Sequence, residues 1–219
     1  MLALAAGGCS SRHEQTLPAN FVAEVDNPWF PLKPGTTYVY RGAKDGKPSR
    51  EMLEVTHLTK TIQGVRAMVL HDNLYLAGKL AERTSDWYAQ DADGNVWYLG
   101  EDTAEFDRNG RITSTEGSWQ AGVDGAEAGI YMPAHPKVGE SYSQEYYKGH
   151  AEDRTKVLAL DQQVEAPAGH FTGAILTDDT SPIEPTVSEY KLYAKGVGPV
   201  VAVSVSGESE REDLLSYTM

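Results

Sequence analysis

The sequence predicts an all-β fold: an antiparallel meander bent into a curved sheet, half-barrel or partial barrel, with one long ordered glycine-rich loop. Three observations predict it. Segments of alternating aromatic, β-branched and polar residues recur along the 219 residues, and a period of two belongs to strands that bury one face. Turn signals carrying Gly, Pro, Asn or Asp separate these segments at short intervals, so successive strands read as hairpins. Strong helical periodicity is absent, although residues 206–215 could form a short helix.

The elements follow in order. "TTYVYRG" (36–42) puts Tyr38 and Tyr40 on one face, "KDGK" (44–47) turns, and "REMLEVTHL" (50–58) runs back. "GVRAMVLHDNLYLAG" (64–78) is apolar and β-prone, and it turns at Gly78 into "LAERTSDWYAQD" (80–91). Asp93-Gly94 leads into "NVWYLGED" (95–102), and Asn109-Gly110 joins "TAEFD" to "RITST" with a strong hairpin signal. Residues 116–138 hold four glycines and two prolines, yet also Trp119, Ile130, Tyr131 and Met132. That mixture reads as an ordered loop packed over the sheet. Strands resume at 140–147, 153–166, 170–179, 186–196, 199–207 and 212–217. No repeat or composition shift divides residues 21–219, which read as a single β domain.

The charge balance is 19 basic against 32 acidic residues, a net charge of -13. Phosphate backbones would be repelled, which excludes nucleic acid as a partner. Cations and cationic ligands would be attracted. One cysteine, Cys9, allows no intrachain disulfide.

The opening "MLALAAGGCSS" resembles the end of a bacterial lipoprotein signal peptide, with small apolar residues up to Cys9 and polar ones after it. The resemblance implies lipidation at Cys9 and residence in the cell envelope. Leu4 lies further from Cys9 than the usual pattern, and no basic segment precedes the apolar run. Residues 10–20 are polar and aperiodic and read as a tether, so residues 1–20 form a signal remnant, lipidation site and tether. No other stretch approaches the ~18 consecutive apolar residues of a spanning helix. The expected membrane contact is therefore the N-terminal lipid alone.

Three stretches resemble bacterial envelope lipoproteins that have no assigned activity. These are "NPWFPLKPGTTYVYRG" (27–42), "VEAPAGHFTGAILT" (164–177) and "YKLYAKGVGPV" (190–200). The resemblance implies an envelope β-fold and supplies no catalytic residues.

"QDADGNVWYLGED" (90–102) gathers four carboxylates beside two aromatics. Asp91, Asp93 and Asn95 alternate like the first ligands of a calcium loop. Glycine then comes at the fourth position instead of the sixth. Glu101 precedes the twelfth position and Asp102 occupies it. Asp-Gly between strands is also a tight-turn sequence, so the stretch reads as a turn before it reads as a Ca²⁺ site. Glu101 and Asp102 could join Asp86 or Glu105 in a site that spacing does not reveal. Trp87, Trp97, Trp119 and Tyr131 are the candidate ligand contacts, since a loop tryptophan over a concave sheet could stack on a ligand. Glu145, His150, Glu152 and Asp153 cluster without a zinc-like spacing, and His71-Asp72 forms a second short pair. No nucleophile elbow, phosphate loop, dinucleotide fingerprint or paired-histidine motif is present. No cofactor is expected beyond Ca²⁺.

Three functions are consistent with these features: an envelope lipoprotein binding a small hydrophobic or amphipathic molecule, a carboxylate hydrolase with or without Ca²⁺, or a structural lipoprotein. An apolar cavity would favour the first. Clustered buried carboxyls would favour the second. A filled core with an exposed apolar patch would favour the third.

Overall fold

The computed structural model describes residues 15–207 and 209–218. Cys9, on which the lipidation reading falls, lies outside the described residues. Among those described there is no helix, and sixteen antiparallel strands form a nearly closed, barrel-shaped sheet with one unsealed seam. In chain order they are β1 (Phe21–Val22), β2 (Thr37–Lys44), β3 (Lys47–Ile62), β4 (Val65–Leu76), β5 (Lys79–Asp91), β6 (Val96–Phe106), β7 (Ile112–Ser114) and β8 (Trp119–Gln120). The remainder are β9 (Glu127–Met132), β10 (Ser141–Ser143), β11 (Glu145–Tyr146), β12 (Arg154–Ala166), β13 (Gly169–Ser181), β14 (Glu184–Ala194), β15 (Gly198–Ser206) and β16 (Glu210–Thr218).

Two meanders, β2 to β6 and β12 to β16, join where β16 pairs β2, with Leu214 opposite Tyr40. Pairing the last strand with the first long one bends the sheet toward closure. The two free edges are β10, held by β12, and β11, held by β9. Only Gln144 separates these strands in sequence, so the chain itself crosses the seam. Gln144 donates its amide N–H to the Asp153 carbonyl at 2.8 Å, and its side-chain NH₂ bonds Thr155 Oγ1 and, at 3.3 Å, Asp179.

Two expectations change. Residues 116–138 are not a loop throughout: β8 and β9 both pair with β6. Glycines make this possible. A Cβ on Gly100 would lie 2.4 Å from the Trp119 carbonyl oxygen, and one on Gly129 would lie 2.3 Å from that of Ser143. Only a residue without a side chain lets the backbones meet so closely. The described residues of 206–215 form no helix. Residues from Glu210 onward continue as β16, because tertiary pairing with β2 and β15 outweighs the local preference.

One end of the barrel is capped by residues 25–36. Phe30 and Leu32 are buried, and Leu32 bonds back to Val25 at 2.8 Å. Asn27, only 1% exposed, takes Gln90 Oε1 on its backbone amide at 2.8 Å and donates its side chain to the Gly94 carbonyl at 2.8 Å. The segment preceding the barrel also rests on it. Gln15 exchanges two hydrogen bonds with the Ala128 backbone, at 2.7 and 2.8 Å, and Phe21 pairs with Asp91.

Candidate functional site: an acidic cavity inside the barrel

Alternation and register decide what faces inward. Tyr40 of β2 lies opposite Glu51, Leu53 opposite Asp72, Leu70 opposite Asp86, and Asp86 opposite Glu101. Cross-strand partners share a face, so these residues line one interior wall. On the neighbouring side Glu212 faces inward from β16, and Lys191 and Glu189 from β14. Together they enclose a cavity of about 280 Å³. Its capped end is aromatic. Phe30, Tyr88 and Tyr131 pack with ring centres 4.4 to 5.1 Å apart, and Tyr98 stacks on Tyr88 at 4.7 Å. The rest of the lining is dominated by carboxyls: Glu51, Asp72, Asp86, Glu189, Glu210 and Glu212.

Lys191 enters this acidic lining, and Lys44 pairs with one of its carboxyls. Lys191 Nζ lies 3.1 Å from Asp179 and 2.9 Å from Glu189, and Lys44 Nζ lies 3.0 Å from Glu210. Burial alone would lower the Lys191 pKa, but Glu189 and Asp179 outweigh it and hold the ammonium charged. Among the described residues no salt bridge reaches Glu51, Asp72, Asp86 or Glu212.

Burial is the main reason these carboxyls are hard to ionise, because a low-dielectric interior penalises charge. Asp86 is pushed up to about 7, although the Tyr98 hydroxyl, 2.6 Å away, works against the shift. Asp72 rises to about 8, with burial opposed by the neighbouring Glu51 carboxyl and assisted by Asp86. Glu212 and Glu101 rise to about 9, each by burial and then by a neighbouring carboxylate, Glu51 and Asp86 respectively. Glu51 is driven well above the carboxylate range by burial and by Asp72, and it interacts with both Asp72 and Glu212. Glu51 and Asp72 keep some accessible surface, but they lie deep in the barrel and that surface is the cavity wall.

Among the described residues several interior polar atoms lack hydrogen-bond partners. They include Asp72 Oδ1, Glu212 Oε1, Glu145 Oε2, Ser49 Oγ and Thr177 Oγ1. Glu212 is 7% exposed, Glu145 6% and Thr177 0%. Buried polar atoms are nearly always satisfied, so this concentration marks the interior as chemically unfinished.

The structure separates the candidate ligand contacts. Tyr131 lines the cavity. Trp119 is buried in the interior, edge-on to Tyr98 at 5.4 Å, with its Nε1 near Glu145 but not hydrogen-bonded to it. Trp87 and Trp97 point to the other face of the sheet. Lys60 Nζ sits 3.1 Å over the Trp87 ring. Trp97 donates to Asp91 Oδ2 at 2.8 Å and meets Phe21 edge-on at 6.3 Å.

The acidic hairpin is held together by Asp91. Its oxygens accept from the amides of Asp93 and Asn95, at 3.0 and 2.9 Å, from the Asn95 side chain, and from Trp97. Burial pushes its pKa up, but the Trp97, Asn95 and amide hydrogen bonds prevail and hold it below the usual range. Asp91, Asp93 and Asn95 sit at this turn. Glu101 lies further along β6 inside the barrel, and the exposed Asp102 points the other way. Among the described residues no three His, Cys, Asp or Glu side chains are grouped to hold a metal ion. His150 is likewise drawn away from Glu145: it pairs with Glu116 at 2.9 Å and stacks on Tyr147.

Sequence reasoning named Asp86 as a partner for Glu101, and the register places them opposite each other. It missed Glu51 and Glu212, and it read Asp72 only through His71. A usable signal existed: Glu51 alternates with Leu53, and Asp72 with Leu70, on the face shared with Tyr38 and Tyr40.

No protein-family model and no curated protein matches the sequence. Two solved structures are similar in shape. A Bacteroides fragilis protein thought to be exported, with a YmcC-like fold, is 16% identical with a TM-score of 0.50, covering 87% of this chain and 99% of its own. A Parabacteroides distasonis protein thought to be a lipoprotein is 12% identical with a TM-score of 0.47, covering 88% and 99%. The chain shares the fold of the first. At that identity no site residue transfers.

Proposed function

We propose that this chain is a cell-envelope lipoprotein, anchored through lipid on Cys9, that holds a small amphipathic ligand inside its nearly closed barrel. The observation that carries the reading is the interior cavity, aromatic at its capped end and carboxyl-lined elsewhere. Such a lining suits a molecule with an apolar body and a polar head. A purely structural core would have closed this space, since protein interiors pack to crystal density. The sequence around Cys9 supports the anchor, and the B. fragilis neighbour of the same fold is itself thought to be exported. No nucleic acid is expected at so acidic a surface.

Native mass spectrometry of the full chain extracted from envelope membranes tests the reading. We expect an acylated mass that carries a non-covalent small molecule. Ala202→Phe, which fills the cavity from β15, should lose the bound molecule and keep the acylation. A wild-type chain that carries nothing, and melts at the same temperature as Ala202→Phe, contradicts it.

One observation favours a second reading, a carboxylate hydrolase. Asp86 and Glu101 are cross-strand partners, both interact with Tyr98, and their pKa values of about 7 and about 9 differ as those of a base and an acid should. Turnover of p-nitrophenyl glycosides or esters that disappears in Asp86→Asn would support it. No turnover in the wild type would remove it.

A further inference from the structure

We propose that the cavity is a site for a small organic cation: a protonated amine whose ammonium sits among Glu51, Asp72 and Glu212 and whose apolar body lies against Phe30, Tyr88 and Tyr131. This rests on the ligand-holding reading above and names the chemical class of the ligand.

The first argument is complementarity of donors and acceptors. A carboxyl that gives up its proton to a bound cation only accepts hydrogen bonds, and an ammonium only donates, three at a time. Among the described residues Glu212 Oε1 and Asp72 Oδ1 have no hydrogen-bond partner, and Glu212, 7% exposed, lines the cavity. Glu51 lies between them and interacts with both. Three carboxyls line this cavity, and two of them present acceptors that no described side chain satisfies. A cation seated there would pair with them, which is the usual condition for keeping buried charge.

The second argument is that the protein's own cations at the cavity are engaged elsewhere. Lys191 is held by Asp179 and Glu189, and Lys44 by Glu210. Neither forms a salt bridge with the three carboxyls.

The third is the aromatic end. Aromatic rings attract cations and also pack alkyl or aryl groups. The about 280 Å³ available far exceeds the ~30 Å³ share of one water. A bare divalent ion fits less well, because the described residues present no chelating group of three. An uncharged apolar ligand would leave the carboxyl oxygens unpaired, and an anion would be repelled. The net charge of -13 draws cations from a distance.

The test is isothermal calorimetry on the full chain at pH 8, with 2-phenylethylammonium and its neutral analogue 2-phenylethanol. The amine should bind at least tenfold more tightly than the alcohol. Asp72→Asn and Glu212→Gln should each weaken the amine at least tenfold and leave the alcohol unchanged. The wild-type comparison stands alone if either variant fails to fold. Equal affinity for amine and alcohol overturns the cation assignment and leaves the ligand-holding function intact. Amine binding that neither substitution alters places the amine elsewhere and also overturns the assignment. Binding of neither probe, together with a chain that carries nothing from the envelope, overturns both.

Discussion

Replacing Asp86 with asparagine isolates the cost of charge inside this barrel. Asp86 is 7% exposed, forms no salt bridge among the described residues, and accepts from the Tyr98 hydroxyl at 2.6 Å. Asparagine keeps an acceptor for that hydroxyl and cannot ionise. Burial raises the Asp86 pKa from the ordinary 3.8 to about 7. Three units at 1.36 kcal/mol each correspond to about 4 kcal/mol. The folded pKa lies above the unfolded one, so the stability from the protonated group is complete below pH 3.8 and lost as pH rises toward 7. The wild type and Asp86→Asn should therefore be similar near pH 4. The variant should gain steadily and be more stable by about 2–4 kcal/mol above pH 7, the lower figure allowing for relaxation and water entry. That corresponds to a melting difference of about 5–15 °C for a chain of this size. Urea denaturation followed by tryptophan fluorescence, repeated at intervals from pH 4 to 9, measures it. A difference between the two proteins that stays constant across this range would refute the reasoning, because Asp86 would then ionise equally readily in both states.

Asp72, Glu101, Glu145 and Glu212 are shifted in the same direction, so the melting temperature of the wild type should fall from pH 5 to pH 9, as calorimetry will show. Asp91→Asn acts oppositely. The folded Asp91 pKa is lowered, so the change should cost about 1–3 kcal/mol at pH 7 and little below pH 3, measured by the same urea titrations. Ca²⁺ at 1 mM should raise the melting temperature by no more than about two degrees, consistent with a millimolar dissociation constant at exposed carboxylates; a shift near ten degrees that vanishes in Asp91→Asn would show a specific site. Gly129→Ala should force Ser143 and Gln144 away from β9, and hydrogen exchange at residues 144–146 should accelerate by at least tenfold. Cys9→Ser should move the chain from the membrane fraction to the soluble fraction; unchanged partitioning would remove the lipid anchor.

The all-β class, the hairpins at Asp45-Gly46, Asp93-Gly94 and Asn109-Gly110, and the meander order were legible because each depends on residues near one another in sequence. The seam was not. It depends on Gly129 meeting Ser143 and on β16 finding β2 across almost the whole chain, and no local pattern encodes a distant pairing. The cavity was half legible. Alternation correctly divides Trp87 from Tyr88 and Trp97 from Tyr98, one to each face. It could not say that the tyrosines, not the tryptophans, face inward, because both are aromatic and the choice rests on the register with β4 and β9.

The acidic interior works against folding, and that makes it informative. At Glu51, Asp72 and Asp86 a leucine or valine would continue the apolar face begun by Leu53 and Leu70. Packing would improve and no ionisation cost would remain. Instead the apolar pattern breaks on three adjacent strands at positions that the register sets diagonally to one another on the same face. One misplaced carboxyl could be an accident of a tolerant fold. Several that converge on one cavity, with acceptors left open, fit the general rule that local folding preferences are broken together where a site is built. The four carboxylates of the 90–102 hairpin read from sequence as a weak cation candidate. There Asp91 is fully committed to holding a turn. Among the described residues Glu51, Asp72, Asp86 and Glu212 inside the barrel form no salt bridge, which supports placing the proposed ligand there.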